Sequence, residues 1–149
     1  MIEGVRIHEL NRICDERGSI WHMLRSDAEH FEKFGEIYFA TIYPGVVKGW
    51  HEHTLQTQNY AVVDGMIKLV MYDNRPTSNT FQTLMEVFLG DENYKLATIP
   101  PGVINGYKSL TPSRAIVANC STLPHSPGEM IRHDPHNCFI KYNWNVKDS

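Results

Sequence analysis

Apolar and polar residues change places in short bursts along most of this chain, with the period of β-strands rather than helices. Residues 36–44, EIYFATIYP, are rich in the aromatic and β-branched side chains that fit a pleated surface. TQNYAVVDG (57–65) and MIKLVMYD (66–73) flank an Asp-Gly pair, a strong hairpin signal because glycine tolerates the positive φ of a tight turn. TFQTLMEVFLG (80–90) alternates polar with apolar, and YKLATIPPG (94–102), NGYKSLT (105–111) and SRAIVANCST (113–122) continue the pattern. Turn signals punctuate these runs at Pro44-Gly45, Asp64-Gly65, Asn74-Arg75-Pro76, Gly90-Asp91, Pro101-Gly102 and Thr111-Pro112. One stretch reads differently. SDAEHFEKFG (26–35) predicts a short helix, capped by Ser26 with Glu29 three residues on, and ended by Gly35. Together the elements predict one all-β domain over residues 1–149, an antiparallel jelly-roll sandwich or barrel with one or two short helices. The mouth between two such sheets is a natural ligand pocket.

Composition narrows the partners. Of the 149 residues 42% are hydrophobic and 21% charged, which suits a globular domain able to bury a core. The formal charge is -3 and Lys and Arg do not cluster, so nucleic acid is not an expected partner, although a nucleotide within a small ligand stays open. Cys14, Cys120 and Cys138 have no C-x-x-C spacing and read as reduced thiols. The opening MIEGVRIHEL lacks the charge and apolar blocks of a signal peptide, and no apolar run reaches the ~20 residues of a membrane span. A cytoplasmic protein without membrane association is expected.

The chemistry concentrates in KGWHEHTLQTQ (48–58). On a strand, His51 and His53 project from one face, as do Gln56 and Gln58 if the strand resumes there. With Gly45 before and Gly65 after, the spacing resembles the first motif of the cupin superfamily, G-x5-H-x-H-x3/4-E-x6-G, except that Gln58 replaces the acidic residue. Pro100-Pro101-Gly102 resembles the second motif, but Asn105 stands where a further histidine ligand would be. Two imidazoles and two neutral amides are a poor donor set for a divalent ion, so no metal or other cofactor is expected.

A closer resemblance extends over residues 15 to 148. Asp15-Glu16-Arg17-Gly18-Ser19-Ile20 resembles the D-x-R-G-x-F of the dTDP-4-dehydrorhamnose 3,5-epimerases, and Lys48-Gly49-Trp50-His51 resembles their R-G-L-H. Leu89–Asn93 is similar to L-S-x-E-N, Ile99–Tyr107 to I-P-x-G-F-A-H-G-F, and Thr122–Pro127 to T-x-x-Y-x-P. Asp134-Pro135 and Lys147-Asp148 complete the series. The resemblance implies a cupin jelly roll, pairing into homodimers, that epimerises a nucleotide-linked 4-keto-6-deoxy sugar at C3, C5 or both. A C4 ketone acidifies the protons on its neighbouring carbons, and a neutral imidazole is suited to remove one.

The same resemblance assigns roles. His51 falls on the catalytic base, Asp148 on its carboxylate partner, and His125 on the family's tyrosine acid. Arg17 and Lys48 would meet the phosphates, and Gln58 and Asn105 would line the sugar pocket, in place of a lysine and a histidine. Leu69 takes the place of a further acidic residue. The strand itself also resembles the sugar 3,4-ketoisomerases, which carry R-G-x-H-x-H with a glutamine five residues on and use both histidines for protons; this implies a catalytic role for His53 as well. An epimerase is the leading expectation. A 3,4-ketoisomerase, a non-catalytic nucleotide-sugar binding protein and a metal-dependent cupin enzyme are the alternatives.

Overall fold

The computed structural model describes residues 1–148. Its strands are β1 (Arg6–Glu9), β2 (Arg12–Asp15), β3 (Gly18–Trp21), β4 (Glu36–Ile42), β5 (Val47–His53), β6 (Gln58–Asp64), β7 (Met66–Asp73), β8 (Leu84–Gly90), β9 (Lys95–Ile99), β10 (Val103–Ser109), β11 (Ala115–Ser121) and β12 (Met130–Arg132). One five-stranded sheet runs β1-β9-β6-β11-β4, a second runs β12-β5-β10-β7-β8, and β2 and β3 form a separate hairpin. All pairings are antiparallel. The all-β jelly roll expected from the alternating pattern is present. The helix expected over 26–35 is not, and no helix occurs among the described residues. Two successive turns, Ala28 N to Arg25 O and Phe31 N to Ala28 O, replace it. Gly35, read as the helix end, instead donates its N–H to Ser121 O at 2.8 Å and lies against the Leu123 backbone. That docking draws the segment straight where a helix would have to coil.

Inward residues explain where the sandwich opens. Along β4, Glu36, Tyr38 and Ala40 face inward before Ile42 joins the core. On β6 the order is Gln58, Tyr60, Val62, and on β11 the polar end is Asn119 and Ser121 while Ala115 and Val117 are core. Register aligns these changes, with Asn119 beside Tyr38 and Tyr60, and Ala115 beside Ile42. One end of the sandwich therefore closes over Val62, Ile67, Leu69, Met71 and their neighbours. Leu69, expected from the sequence to stand where an acidic residue would be, is wholly buried in that core. The other end is lined with polar groups and stays open.

The outer face of the second sheet is also covered. Trp50 points away from the interior and packs with Ile140 and Trp144 of the C-terminal segment. Gly49 and Gly106 permit this layering: a Cβ on Gly49 would sit 2.8 Å from the Gly106 Cα, and one on Gly106 3.2 Å from both indole rings. Lys68 Nζ donates to the carbonyls of Trp144 and Asn145, and Lys108 Nζ to that of Trp144 at 3.1 Å. These bonds tie the last residues down as a strap on the side opposite the inward-facing histidines.

Candidate active site

A cavity of about 680 Å³ occupies the open end between the sheets. Tyr38 and Tyr60 form part of one wall, from the first sheet. Lys48, His51, His53 and Arg132 form part of the other, from the second sheet. Strand alternation puts His51 and His53 on one face of β5, as expected, with Trp50 and Glu52 on the other.

His51 lies between Asn105 on β10 and Arg132 on β12 in the sheet register. Its ring makes no hydrogen bond or ion pair within the described residues. Its pKa is pushed down to about 4, chiefly by burial and further by electrostatic repulsion from Arg132, His53 and Lys48. The imidazole is therefore neutral at neutral pH, with a lone pair free to accept a proton. An anionic ligand beside Arg132 and Lys48 would offset those charges and make the ring a stronger base.

His53 differs in its surroundings. Its Nδ1 meets Glu129 Oε2 at 2.8 Å, and Glu129 is buried. Both carboxylate oxygens are engaged: Oε1 accepts from the Leu55 and Gln56 amides, and Oε2 from Gln56 Nε2. Burial alone would raise the Glu129 carboxyl, but the bonds from His53, Gln56 and Leu55 outweigh it and hold its pKa below the ordinary value.

From Glu129 a line of amides crosses beneath the cavity. Gln58 Nε2 donates to Gln56 Oε1, Asn119 Nδ2 donates to Gln58 Oε1, and Asn119 Nδ2 also donates to the Tyr38 hydroxyl at 2.8 Å. The Asn59 backbone N–H donates to Asn119 Oδ1. A backbone N–H can only donate and a carboxylate only accept, so both ends fix which way every amide points.

The residues expected at the site separate into groups. The structure brings His51, His53, Lys48 and His125 to the cavity, with His125 exposed on the loop after β11. Lys48 Nζ donates to Thr41 O at 2.7 Å, which stretches it toward the first sheet. Gln58 and Asn105 are almost wholly buried behind the cavity wall. Gln58 belongs to the amide line, and Asn105 Oδ1 accepts from the Tyr60 hydroxyl at 3.3 Å. Arg17 is not at the cavity: it pairs with Asp15 on the exposed β2–β3 hairpin, beside a separate hollow of about 350 Å³. Asp148 is exposed beyond the strap and makes no hydrogen bond or ion pair among the described residues, so no Asp148–His51 pair forms.

Glu129, Arg132 and Tyr38 were missed from the sequence. Glu129 and Arg132 lie in GEMIRHDP (128–135), just ahead of the Asp-Pro pair. Three residues carry no readable period, and only the pairing of β12 with β5 turns Met130 and Arg132 to the cavity. Among the described residues no three His, Cys, Asp or Glu side chains gather as a metal set. No helix there is long and apolar enough to cross a membrane.

Similarity to known proteins covers the whole chain. A family model described as dTDP-4-dehydrorhamnose 3,5-epimerase matches residues 1–149. The spore coat polysaccharide biosynthesis protein SpsL of Bacillus subtilis is 30% identical over 151 aligned positions, covering 99% of each chain. The crystal structure of a dTDP sugar isomerase from Desulfovibrio desulfuricans G20 is 42% identical, with a TM-score of 0.94, over 99% of this chain and 94% of that one. A dTDP-6-deoxy-D-glucose-3,5-epimerase from Legionella pneumophila, solved with dTDP-4-keto-L-rhamnose, is 25% identical with a TM-score of 0.82, over 91% of this chain and 75% of that one.

Proposed function

The chain belongs to the dTDP-4-dehydrorhamnose 3,5-epimerase family, and from that premise we propose that it epimerises a nucleotide-linked 4-keto-6-deoxy sugar at C3, C5 or both, with His51 as the base. The observation that carries this reading is a neutral, hydrogen-bond-free imidazole on the wall of a cavity between two sheets. Lys48 and Arg132 supply positive charge beside it, suited to a diphosphate and to an enolate oxygen. The Legionella relative holds a sugar nucleotide of this class. His51 takes a proton from the carbon next to the ketone, the C–H electrons form the enolate, and its charge rests on the C4 oxygen. Return of a proton to the other face of the carbon restores the ketone with inverted configuration. His125 is exposed and lines the same cavity, which supports contact with the bound ligand. A charged sugar diphosphate does not cross a bilayer unaided, which favours the cytoplasm as the place of action.

A second reading is favoured by one feature, the His53–Glu129 pair beside His51. Two imidazoles on one wall suit proton movement between C3 and C4, as in a 3,4-ketoisomerase. Incubation with a panel of 4-keto nucleotide sugars in heavy water separates the two. Deuterium at C3 or C5 with a 4-keto epimer as product is expected. A 3-keto product would replace the first reading with the second, and unlabelled, unchanged sugars would remove both.

We also propose a homodimer. Ile13 and Ile20 on the β2–β3 hairpin and Ile37 and Phe39 on the outer side of edge strand β4 are all exposed, and a second copy of the chain would cover them. Light scattering should give the mass of two chains at micromolar concentration, and a single-chain mass would end this part of the proposal.

A further inference from the structure

Inversion needs a proton donor facing the base across the sugar ring, and the residue expected in that role, His125, lies exposed on the loop after β11 rather than on a strand of the opposite sheet. Three tyrosines reach the cavity. Tyr107 stands on β10, in the same sheet as His51. Tyr60 is in the opposite sheet, but its hydroxyl is turned to Asn105 Oδ1 and only 4% of the residue is exposed. Tyr38 is in the opposite sheet, on β4, and is 41% exposed.

The Tyr38 hydroxyl also has the right hydrogen-bond polarity. It accepts from Asn119 Nδ2, and the amide line fixes that Asn119 nitrogen as the donor. The phenolic proton has no acceptor among the described residues, so it is free to point into the cavity. The accepted bond also stabilises the phenolate left after the proton departs. Burial, together with the nearby Glu36 carboxylate, keeps the group a phenol at neutral pH even though the Asn119 bond pulls the other way.

We propose that Tyr38 is the acid of the reaction, delivering a proton from the first sheet to the carbon that His51 has deprotonated from the second. This rests on the epimerase reading. The step balances simply. The Tyr38 O–H bond breaks, a C–H bond forms on the face away from His51, and the enolate electrons return to that carbon as C4=O is restored. The phenolate then takes a proton from water, and the imidazolium releases one.

Tyr38→Phe removes one oxygen from a partly exposed side chain, and its thermal unfolding is checked against the wild type. Both proteins are then given the accepted 4-keto sugar in heavy water. In the variant, epimer formation should fall about 100-fold or more, while deuterium still enters recovered sugar of unchanged configuration, because His51 can remove a proton and return a deuteron on its own side. Epimer formation at the wild-type rate would overturn the role of Tyr38 alone. Equal loss of exchange and epimer would also overturn it, since Tyr38 would then serve binding or abstraction. A wild type that exchanges nothing would instead strike the epimerase reading and the inference with it.

Discussion

Replacing His51 with Asn should abolish proton exchange into the sugar, with a fall of about 10³-fold or more. The asparagine keeps a polar side chain of similar reach but has no basic lone pair. His51 makes no hydrogen bond that its loss would orphan, so the variant should fold with an unchanged Tm. The fall should appear in kcat, since the group acts on the reacting carbon rather than on the nucleotide. The pH profile of the free wild-type enzyme supplies a second check. A histidine whose folded pKa is pushed down to about 4 stays an active base well below neutrality. Exchange measured as kcat/KM should therefore hold roughly level from pH 7 to about 5 and decline through about 4. The same depression destabilises the fold in acid, because the unfolded chain takes up this proton first, near 6.5. Persistence of exchange in His51→Asn would exclude it as the base.

Glu129→Ala should bring the largest loss of stability. The substitution strands the His53 ring nitrogen, the Leu55 and Gln56 amides and the Gln56 side chain, all gathered on one buried carboxylate. Uncompensated buried groups of this kind cost about 3–5 kcal/mol. For a chain of this size that is a Tm lower by about 10 °C, read by calorimetry. The pH dependence has a definite sign. A carboxyl whose folded pKa lies below its unfolded value contributes stability that is complete above the unfolded value, about 4.3, and fades as pH falls through the lower folded value. Wild type should lose stability in acid and Glu129→Ala should lose less, so the gap between them narrows below about pH 4. A Tm within about 2 °C of wild type at pH 7 would refute the central place given to this carboxylate.

The aromatic and β-branched residues of 36–44, the alternation over 80–90 and the His51–His53 spacing made the sheets readable, because a half-buried strand writes its two faces into the chain. Helix signals at Ser26, Glu29 and Gly35 misled, since local caps cannot register a backbone docking site at Leu123, 88 positions away. The strands β1, β2, β3 and β12 are too short to show a period, and β12 hid Arg132 with them. His51 and His53 were legible from spacing alone. The carboxylate was not: family order pointed to Asp148, whereas pairing of β12 with β5 brings Glu129 to His53. Gln58 and Asn105 sat at changed family positions, and only the fold shows that they support the wall.

The amides under the cavity have a consequence for how substitutions propagate. Neutral amides do not ferry protons at physiological pH, so what travels from Glu129 to Tyr38 is a sense of direction, as in a row of compass needles pinned at both ends. Turning one needle sets like against like on each side, so the row holds its direction as long as both pins stand. A change at Gln56 would therefore loosen only the Glu129 end, because the Asn59 amide still pins Asn119 and, through it, the side from which the Tyr38 hydroxyl accepts.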